Sequence, residues 1–257
     1  MKKINITIAG ALGRMGKILI KRVSKNKNLK LISLTDIKSG KTINGIRIQK
    51  NNMEAFKKTD VIIDFSTPKA SLEILNYAKK FKKKVVIGTT GFNSKQNNLI
   101  KNYSKKIAIF KSGNMSLGIN LLEYVVSIFS KKIPSNYQIG ISDDHHKRKV
   151  DYPSGTALML ANAVSRGKNK NLESIKGKMF LNKPGSLQKN KINFFISRKG
   201  NTIGKHSVNF NNKIENIELK HTAFSRDLFA DGALNAAVWI SKKNKGLFNM
   251  QDMFDLK

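Results

Sequence analysis

Apolar residues recur through the first 115 positions in short dense runs, separated by longer stretches with helical spacing. "INITIA" (4–9) predicts a brief buried strand, and "GALGRMGKILIKRVSK" breaks it with glycines before placing Met15, Ile18, Leu19 and Val23 on one helical face. "LKLISLTD" predicts a second strand ending at Asp36. Beyond a polar loop, "TDVIIDFSTP" (59–68) predicts a buried strand closed by Pro68, and "ASLEILNYAKKF" a helix. "KVVIGTTGF" (84–92), a helix through Ile100 and the strand "IAIFKSGN" complete the series. Strands alternating with helices of this length mean βαβ units and a parallel sheet.

Near residue 115 the pattern changes. "LGINLLEYVVSIFSKKI" predicts one long amphipathic helix, "YQIGISDDHH" a strand, and 154–166 a helix. From 175 to 222 the chain turns strand-like in "KINFFISRKG", "TIGKHSVNF" and "KIENIELKHTA", which suggests a mixed sheet with antiparallel pairing. The last segment, "DLFADGALNAAVWISKKNKGLFNMQDMFDL", predicts helix again, with Trp239 as a packing residue. The expected organisation is an α/β domain from residues 1–115 and 226–257, with an α+β domain containing a mixed sheet from 116–225.

Composition narrows the function. The chain has no cysteine, which excludes disulfides, a thiol nucleophile and Cys-ligated zinc, and makes a reducing cytoplasm the expected compartment. No stretch reaches the roughly 18 apolar residues of a membrane helix. The basic, apolar start "MKKINITIAGALGRMG" is interrupted by Asn5 and Thr7 and ended by Arg14, so it reads as a strand and not as a signal peptide. Lys and Arg number 49 against 16 Asp and Glu, a formal net charge of +33. Charge alone would suggest a basic nucleic-acid-binding module. The lysines, however, are scattered and accompanied by Asn and Ile, with no interleaved aromatic stacking platform. No specific nucleic-acid partner is expected; attraction for small anions is.

Two constellations carry chemistry. Gly10, Gly13 and Gly16 follow the first strand and open a helix, where glycines let backbone N–H groups approach a pyrophosphate. Leu12 holds the middle glycine position of the commoner fingerprint. Asp36 ends the second strand twenty residues beyond Gly16, placed to accept hydrogen bonds from a ribose, and "GTTG" (88–91) follows another strand at the same sheet edge. Together these point to a nicotinamide dinucleotide. In "DDHHKRKVDYPSGTAL" (143–158), His145 and His146 leave a strand, Lys149 follows, and Ser154 is placed to cap a helix whose first turn holds Gly155 and Thr156. An anion cradle with a cation beside a titratable imidazole suits reduction of an acidic substrate. His206 and His221 lie in strand-like stretches and are expected to be hydrogen-bonded structural residues; the role of Arg226 is left open.

At these residues the chain resembles a known family. "GALGRMG", "DFSTP", "GTTGF", "SGNMSLGIN", "HHKRKVDYPSGTAL" and the terminal "GLFNMQDMFDL" occur in the order found in the 4-hydroxy-tetrahydrodipicolinate reductases, long called dihydrodipicolinate reductases. The resemblance covers essentially the whole chain. It implies a Rossmann-type dinucleotide-binding domain completed by the C-terminal helix, a substrate domain with a mixed sheet, and a homotetramer formed through that sheet. It also implies NADH- or NADPH-dependent reduction of a cyclic dicarboxylate in the diaminopimelate route to lysine. By motif, the catalytic histidine and lysine fall on His145 and Lys149, and substrate binding on His146, Gly155 and Thr156. Cofactor contacts fall on Gly10, Ala11, Leu12, Gly13, Arg14, Met15, Asp36, Gly88, Thr89, Thr90, Ser112, Gly113, Asn114 and Met115; no metal is implied. Arg148 stands where many members carry histidine, at a position whose spacing faces solvent. Ile37 follows Asp36 where dual-cofactor members often carry arginine, so NADH is the expected preference, with Lys38 able to reach a phosphate. A different Rossmann reductase, acting on an amino-acid semialdehyde, is the other enzyme reading; it should use a cysteine or a differently placed acid–base pair.

Overall fold

The computed structural model describes residues 2–256. The chain divides into two compact units, one holding residues up to Leu117 and from Arg226 onward, the other Gly118–Ser225.

The first unit opens with β1 (Ile4–Ala9), α1 (Arg14–Val23), β2 (Leu29–Thr35), β3 (Thr42–Ile43), β4 (Ile46–Gln49) and α2 (Met53–Lys57). It continues with β5 (Val61–Asp64), α3 (Pro68–Lys80), β6 (Lys84–Ile87), α4 (Ser94–Ser104) and β7 (Ala108–Lys111). The second unit comprises α5 (Leu117–Lys132, whose first residue belongs to the first unit), β8 (Gln138–His145), α6 (Gly155–Gly167), α7 (Leu172–Ile175), β9 (Lys176–Leu181), β10 (Ile192–Arg198), β11 (Gly204–Asn211) and β12 (Asn216–Ala223). The chain then returns to the first unit with α8 (Asp227–Ile240), β13 (Gly246–Phe248) and α9 (Met250–Met253).

In the first unit the strands run in the order β13-β7-β6-β5-β1-β2-β4-β3, parallel throughout except for the β3–β4 hairpin. The chain order reverses between β1 and β5, the position at which open α/β sheets bind ligands at their carboxyl edge. The buried strands read as apolar runs because helices cover both faces: Ile6, Ile8, Val61, Ile63 and Val86 pack under α1 and α8, while Ile62, Val85, Ile87 and Ile109 pack under α3 and α4. Helix α8 supplies Ala230, Ala233, Leu234, Ala236, Ala237 and Ile240, small residues that let it lie close to the sheet. Trp239 packs edge-on against Phe110 and Phe248, the packing role expected of it.

Several boundaries differ from the sequence reading. Strand β2 ends at Thr35, one residue before Asp36. Strand β5 spans only Val61–Asp64, and Pro68 does not close it. Pro68 instead takes the first position of α3, where its missing N–H costs nothing, with Thr67 accepting a hydrogen bond from the Ala70 amide at 3.3 Å. Strand β6 stops at Ile87, so "GTTGF" is loop. The loop before residue 50 contains a hairpin turned at Asn44 and Gly45, both with positive φ, which is the Asn-Gly signal for such a turn. The C-terminal segment is not all helix: Gly246–Phe248 pairs with Ala108–Phe110 as an edge strand, a pairing that only the tertiary fold supplies.

The second unit is a five-stranded mixed sheet in the order β12-β11-β8-β10-β9, with β11 antiparallel to both β8 and β12. Helices α5 and α6 bury one face through Ile119, Val126, Leu160, Ala161 and Val164 against Ile141, Phe194, Val208 and Phe210. No helix among the described residues is long and apolar enough to cross a membrane.

Candidate active site

The first-unit site begins at the β1–α1 turn. Gly10 has φ +76°, and a Cβ on it would lie 2.4 Å from the Phe65 carbonyl oxygen; a Cβ on Gly16 would lie 2.2 Å from the Gly10 carbonyl oxygen. Only glycine permits so tight a turn at these two places. Helix α1 starts at Gly13 with no side-chain cap and no acidic residue in its first turn, so its leading amides stay available to an anion. A cavity of about 640 Å³ opens there, lined by Gly10, Leu12, Gly13 and Asp36 from the predicted set. Ile37, Lys38, Lys50, Asn51 and the Phe65–Thr67 loop complete much of its wall. Volume, amide array and carboxylate fit a dinucleotide.

The Asp36 carboxylate is held rigidly, accepting the Leu12 amide at 2.9 Å on Oδ2 and the Lys38 amide at 3.3 Å on Oδ1. Behind the site, Asp64 is fully buried and accepts from the Ser66 amide at 3.0 Å and from the Ser66 and Ser71 hydroxyls. Burial raises its pKa above the ordinary carboxylate range, although the hydrogen bonds oppose this. Thr89 Oγ1 accepts the Ser66 amide at 2.9 Å, so the loops after β5 and β6 are tied together. Ala11 and Met115 are core residues at 0% and 2% exposure, leaving only their backbone for a cofactor. Arg14, Met15, Gly88, Thr90 and the Ser112–Asn114 turn do not line the cavity, although the latter two loops leave β6 and β7 at the same sheet edge. The sequence reading did not assign Lys50, Asn51 or the Phe65–Thr67 loop, although "DFSTP" at a strand end beside the order reversal was the signal.

In the second unit, strand alternation builds the site. Ile139, Ile141, Asp143 and His145 share one face of β8; Ile192, Phe194, Ile196 and Arg198 share that face on β10; His206, Val208 and Phe210 share it on β11. The stripe is apolar until the carboxyl end of β8, where it becomes polar. Register then places Asp143 beside Ile196 and opposite His206, and His145 beside Arg198.

Asp143, with no exposed surface, is the hub. Its Oδ2 accepts the Ser154 amide at 2.7 Å and Arg198 Nη2 at 2.8 Å. Its Oδ1 lies 3.0 Å from His145 Nδ1 and 3.2 Å from His206 Nε2. Burial pushes the Asp143 pKa up, but His145, His206, Arg198 and the Ser154 amide together hold it well below the usual carboxylate range. His206 is pushed below the ordinary imidazole value by burial, with Asp143 opposing the shift. Its contacts with Asp143 and with Ser154 Oγ at 3.2 Å fit the structural role expected of it. His221 pairs with His206 across β11 and β12 and is likewise lowered by burial. The Asp143, His145 and His206 donor atoms lie within 4.8 Å of one another, as a metal-ligand set would. The Arg198 guanidinium already neutralises the carboxylate there, which disfavours a second cation.

Ser154 caps α6, its Oγ accepting the Ala157 amide at 3.1 Å, and Gly155 and Thr156 form the first turn. A Cβ on Gly155 would meet nothing within 4 Å, so the helix mouth is open. The His146 amide bonds the Thr202 carbonyl and the Lys147 amide the Gly200 carbonyl, clipping the loop to the β10–β11 connection. Lys149 Nζ contacts both Asp151 oxygens at 2.7 Å, and Arg148 is exposed as expected. His145, His146, Lys149, Gly155 and Thr156 thus belong to one loop–helix element. The buried partners Asp143 and Arg198 were missed; the signal was a charged residue on the inward face of an apolar strand.

Comparison with known proteins agrees with this geometry. Residues 4–115 match the family model for dihydrodipicolinate reductase, N-terminus, and residues 118–254 that for dihydrodipicolinate reductase, C-terminus. A 4-hydroxy-tetrahydrodipicolinate reductase of Pelagibacter ubique is 53% identical over 258 residues, covering 100% of both chains. One from Buchnera aphidicola (subsp. Cinara cedri) is 45% identical, covering 98% of this chain and 97% of its own. The dipicolinate-bound dihydrodipicolinate reductase of Paenisporosarcina sp. TG-14 shares the fold with a TM-score of 0.79 at 22% identity, over 98% of this chain and 99% of that one. By site, fold and full-length similarity, the chain belongs to the dihydrodipicolinate reductase family.

Proposed function

We infer that the chain reduces the dihydrodipicolinate ring to tetrahydrodipicolinate with a hydride from NAD(P)H, the reaction of 4-hydroxy-tetrahydrodipicolinate reductases in the diaminopimelate route to lysine. The observation that carries this reading is His145, backed by buried Asp143, beside the open amino end of α6. Neither a nucleic-acid-binding module nor a semialdehyde reductase needs that arrangement, and the full-length relatives favour neither.

Gly10–Met15 and Asp36 hold the dinucleotide, with the Gly88–Thr90 and Ser112–Met115 turns at the same sheet edge; when bound, its reduced nicotinamide supplies the hydride. The α6 amides at Gly155 and Thr156, together with His146, grip a substrate carboxylate, an interaction worth about 0.3–2 kcal/mol from the helix end alone. Lys149 exchanges the Asp151 carboxylate for one on the substrate. Hydride addition at C4 of the ring drives electrons toward the ring nitrogen and leaves an enamine, which then needs a proton. His145 donates it from Nε2, the nitrogen turned away from Asp143. A Cβ on residue 204 would stand 3.3 Å from that nitrogen, and glycine there keeps the space open.

NADH is the preferred cofactor in this reading, because Asp36 offers lone pairs to the ribose hydroxyls and repels a 2′-phosphate. The dinucleotide domain is residues 1–115 with 226–257, and 116–225 form the substrate and oligomerisation domain. The working form is a cytoplasmic homotetramer. Its support is apolar exposure on the second unit: Leu121, Val125 and Ile128 follow one another on α5, and Phe224 is 89% exposed. Turnover measured with the synthase that supplies the unstable substrate tests the activity; absence of NAD(P)H oxidation with that substrate would overturn it.

A further inference from the structure

We propose that Asp143 is a positioning residue for the reaction, setting the orientation and tautomer of His145 so that Nε2 carries the transferred proton. The proposal rests on the reading of His145 as proton donor.

Two buried polar atoms carry it. Asp143 Oδ1 and His145 Nδ1 are both buried without a hydrogen bond to any other group, and they lie 3.0 Å apart; His206 Nε2 also approaches Oδ1, at 3.2 Å. Buried polar groups are satisfied almost without exception, and Oδ1 is the acceptor that stands beside Nδ1. Neutral imidazole in water places its hydrogen on either nitrogen, but a carboxylate at Nδ1 accepts and cannot donate, so hydrogen is held on Nδ1. Nε2 is then the site that gains and loses the proton. With Nδ1–H held by the carboxylate, the proton that a general acid gives up is the one on Nε2.

The surroundings keep Asp143 ionised and aimed. Arg198 on β10 donates to Oδ2 and also to the backbone carbonyls of Asp143, Ser197 and Asp151, so guanidinium and carboxylate are fixed together. The Ser154 amide at the start of α6 holds the same oxygen. His206 on β11 is the second imidazole at Oδ1, its ring centroid 4.9 Å from that of His145. Two imidazolium rings at that separation would repel, and burial disfavours the cation at His206. Asp144 on β8 is the remaining nearby acid. The family resemblance assigns the histidine and the lysine; the carboxylate behind them comes from the register of β8, β10 and β11.

The test uses the full-length protein with 15N-labelled histidine. Four histidines make the spectrum tractable, and a His145→Gln sample identifies the resonance. Above its titration, His145 should show the Nδ1–H tautomer; an Nε2–H neutral ring would overturn the proposal without reference to activity. In Asp143→Asn, the Nδ1–H preference of the neutral His145 ring should be lost, and the alkaline limb of the kcat/KM profile should move down, costing about tenfold at alkaline pH and little at acid pH. KM for NADH should stay at the wild-type value, which a general loss of structure would not allow. A variant profile coinciding with wild type would refute the role. Should Asp143→Asn fail to fold, the wild-type tautomer decides alone. Full activity of His145→Ala, by contrast, would overturn the donor assignment and leave the tautomer result standing.

Discussion

The NADH preference proposed above rests on one carboxylate, and Asp36→Asn perturbs it with almost no change in shape. In the wild type both Asp36 oxygens accept backbone amides, and the group lines a cavity shared with Lys38 and Lys50. A 2′-phosphate meeting the carboxylate at about 4 Å would be repelled by about 4 kcal/mol per pair of unit charges at an effective dielectric constant of 20. Solvent at this partly exposed site and the two ammonium groups offset most of that, leaving about 1–2 kcal/mol against NADPH. Each 1.4 kcal/mol is tenfold, so NADH should lead by about 5–30-fold in kcat/KM. Asparagine removes the charge and one of the two amide acceptors, the latter costing about 1 kcal/mol of loop order. NADH efficiency should therefore fall severalfold while NADPH efficiency rises, bringing the ratio close to one. Initial rates with each cofactor, at physiological ionic strength and saturating substrate, give the ratio directly. A ratio unchanged in Asp36→Asn would refute the argument, as would a wild-type preference for NADPH above about tenfold. The second outcome would assign the pocket to Lys38 or Lys50.

His145→Ala should lower kcat by about 10²–10⁴ with the authentic substrate, and Lys149→Ala should lower kcat and raise KM together; steady-state kinetics separate the two. Pyridine-2,6-dicarboxylate should compete with the substrate, with weaker inhibition in Thr156→Val; non-competitive inhibition would count against the α6 cradle. Gly232→Ala should destabilise the first unit by at least about 1–3 kcal/mol in urea unfolding, because the new Cβ would stand 1.7 Å from the Met115 carbonyl oxygen and α8 would have to move. Light scattering should report four chains per particle, and a monomer mass would refute the tetramer.

Local pattern alone determined a good deal of this molecule. The alternation of apolar runs with helical spacing required parallel βαβ units, since such strands must be covered on both faces. The glycines at the β1–α1 junction announced a tight turn because no other residue fits Gly10 or Gly16 there. The loop from His145 to Thr156 was legible because its chemistry is contiguous: strand end, cation, cap and helix mouth follow one another in the chain. What lies far apart in sequence was decided by tertiary structure. Gly246–Phe248 became a strand because β7 offered it an edge, overriding a helical-looking context. Lys50, Asn51 and Thr67 reached the cavity beside Gly10 and Asp36 because the sheet order reverses between β1 and β5. Asp143, Arg198 and His206 met because three strands aligned in one register, so that the polar end of each inward face fell at the same level. Hydrophobic periodicity states which face of a strand is buried; only the pairing of β8 with β10 and β11 states which buried charges become partners.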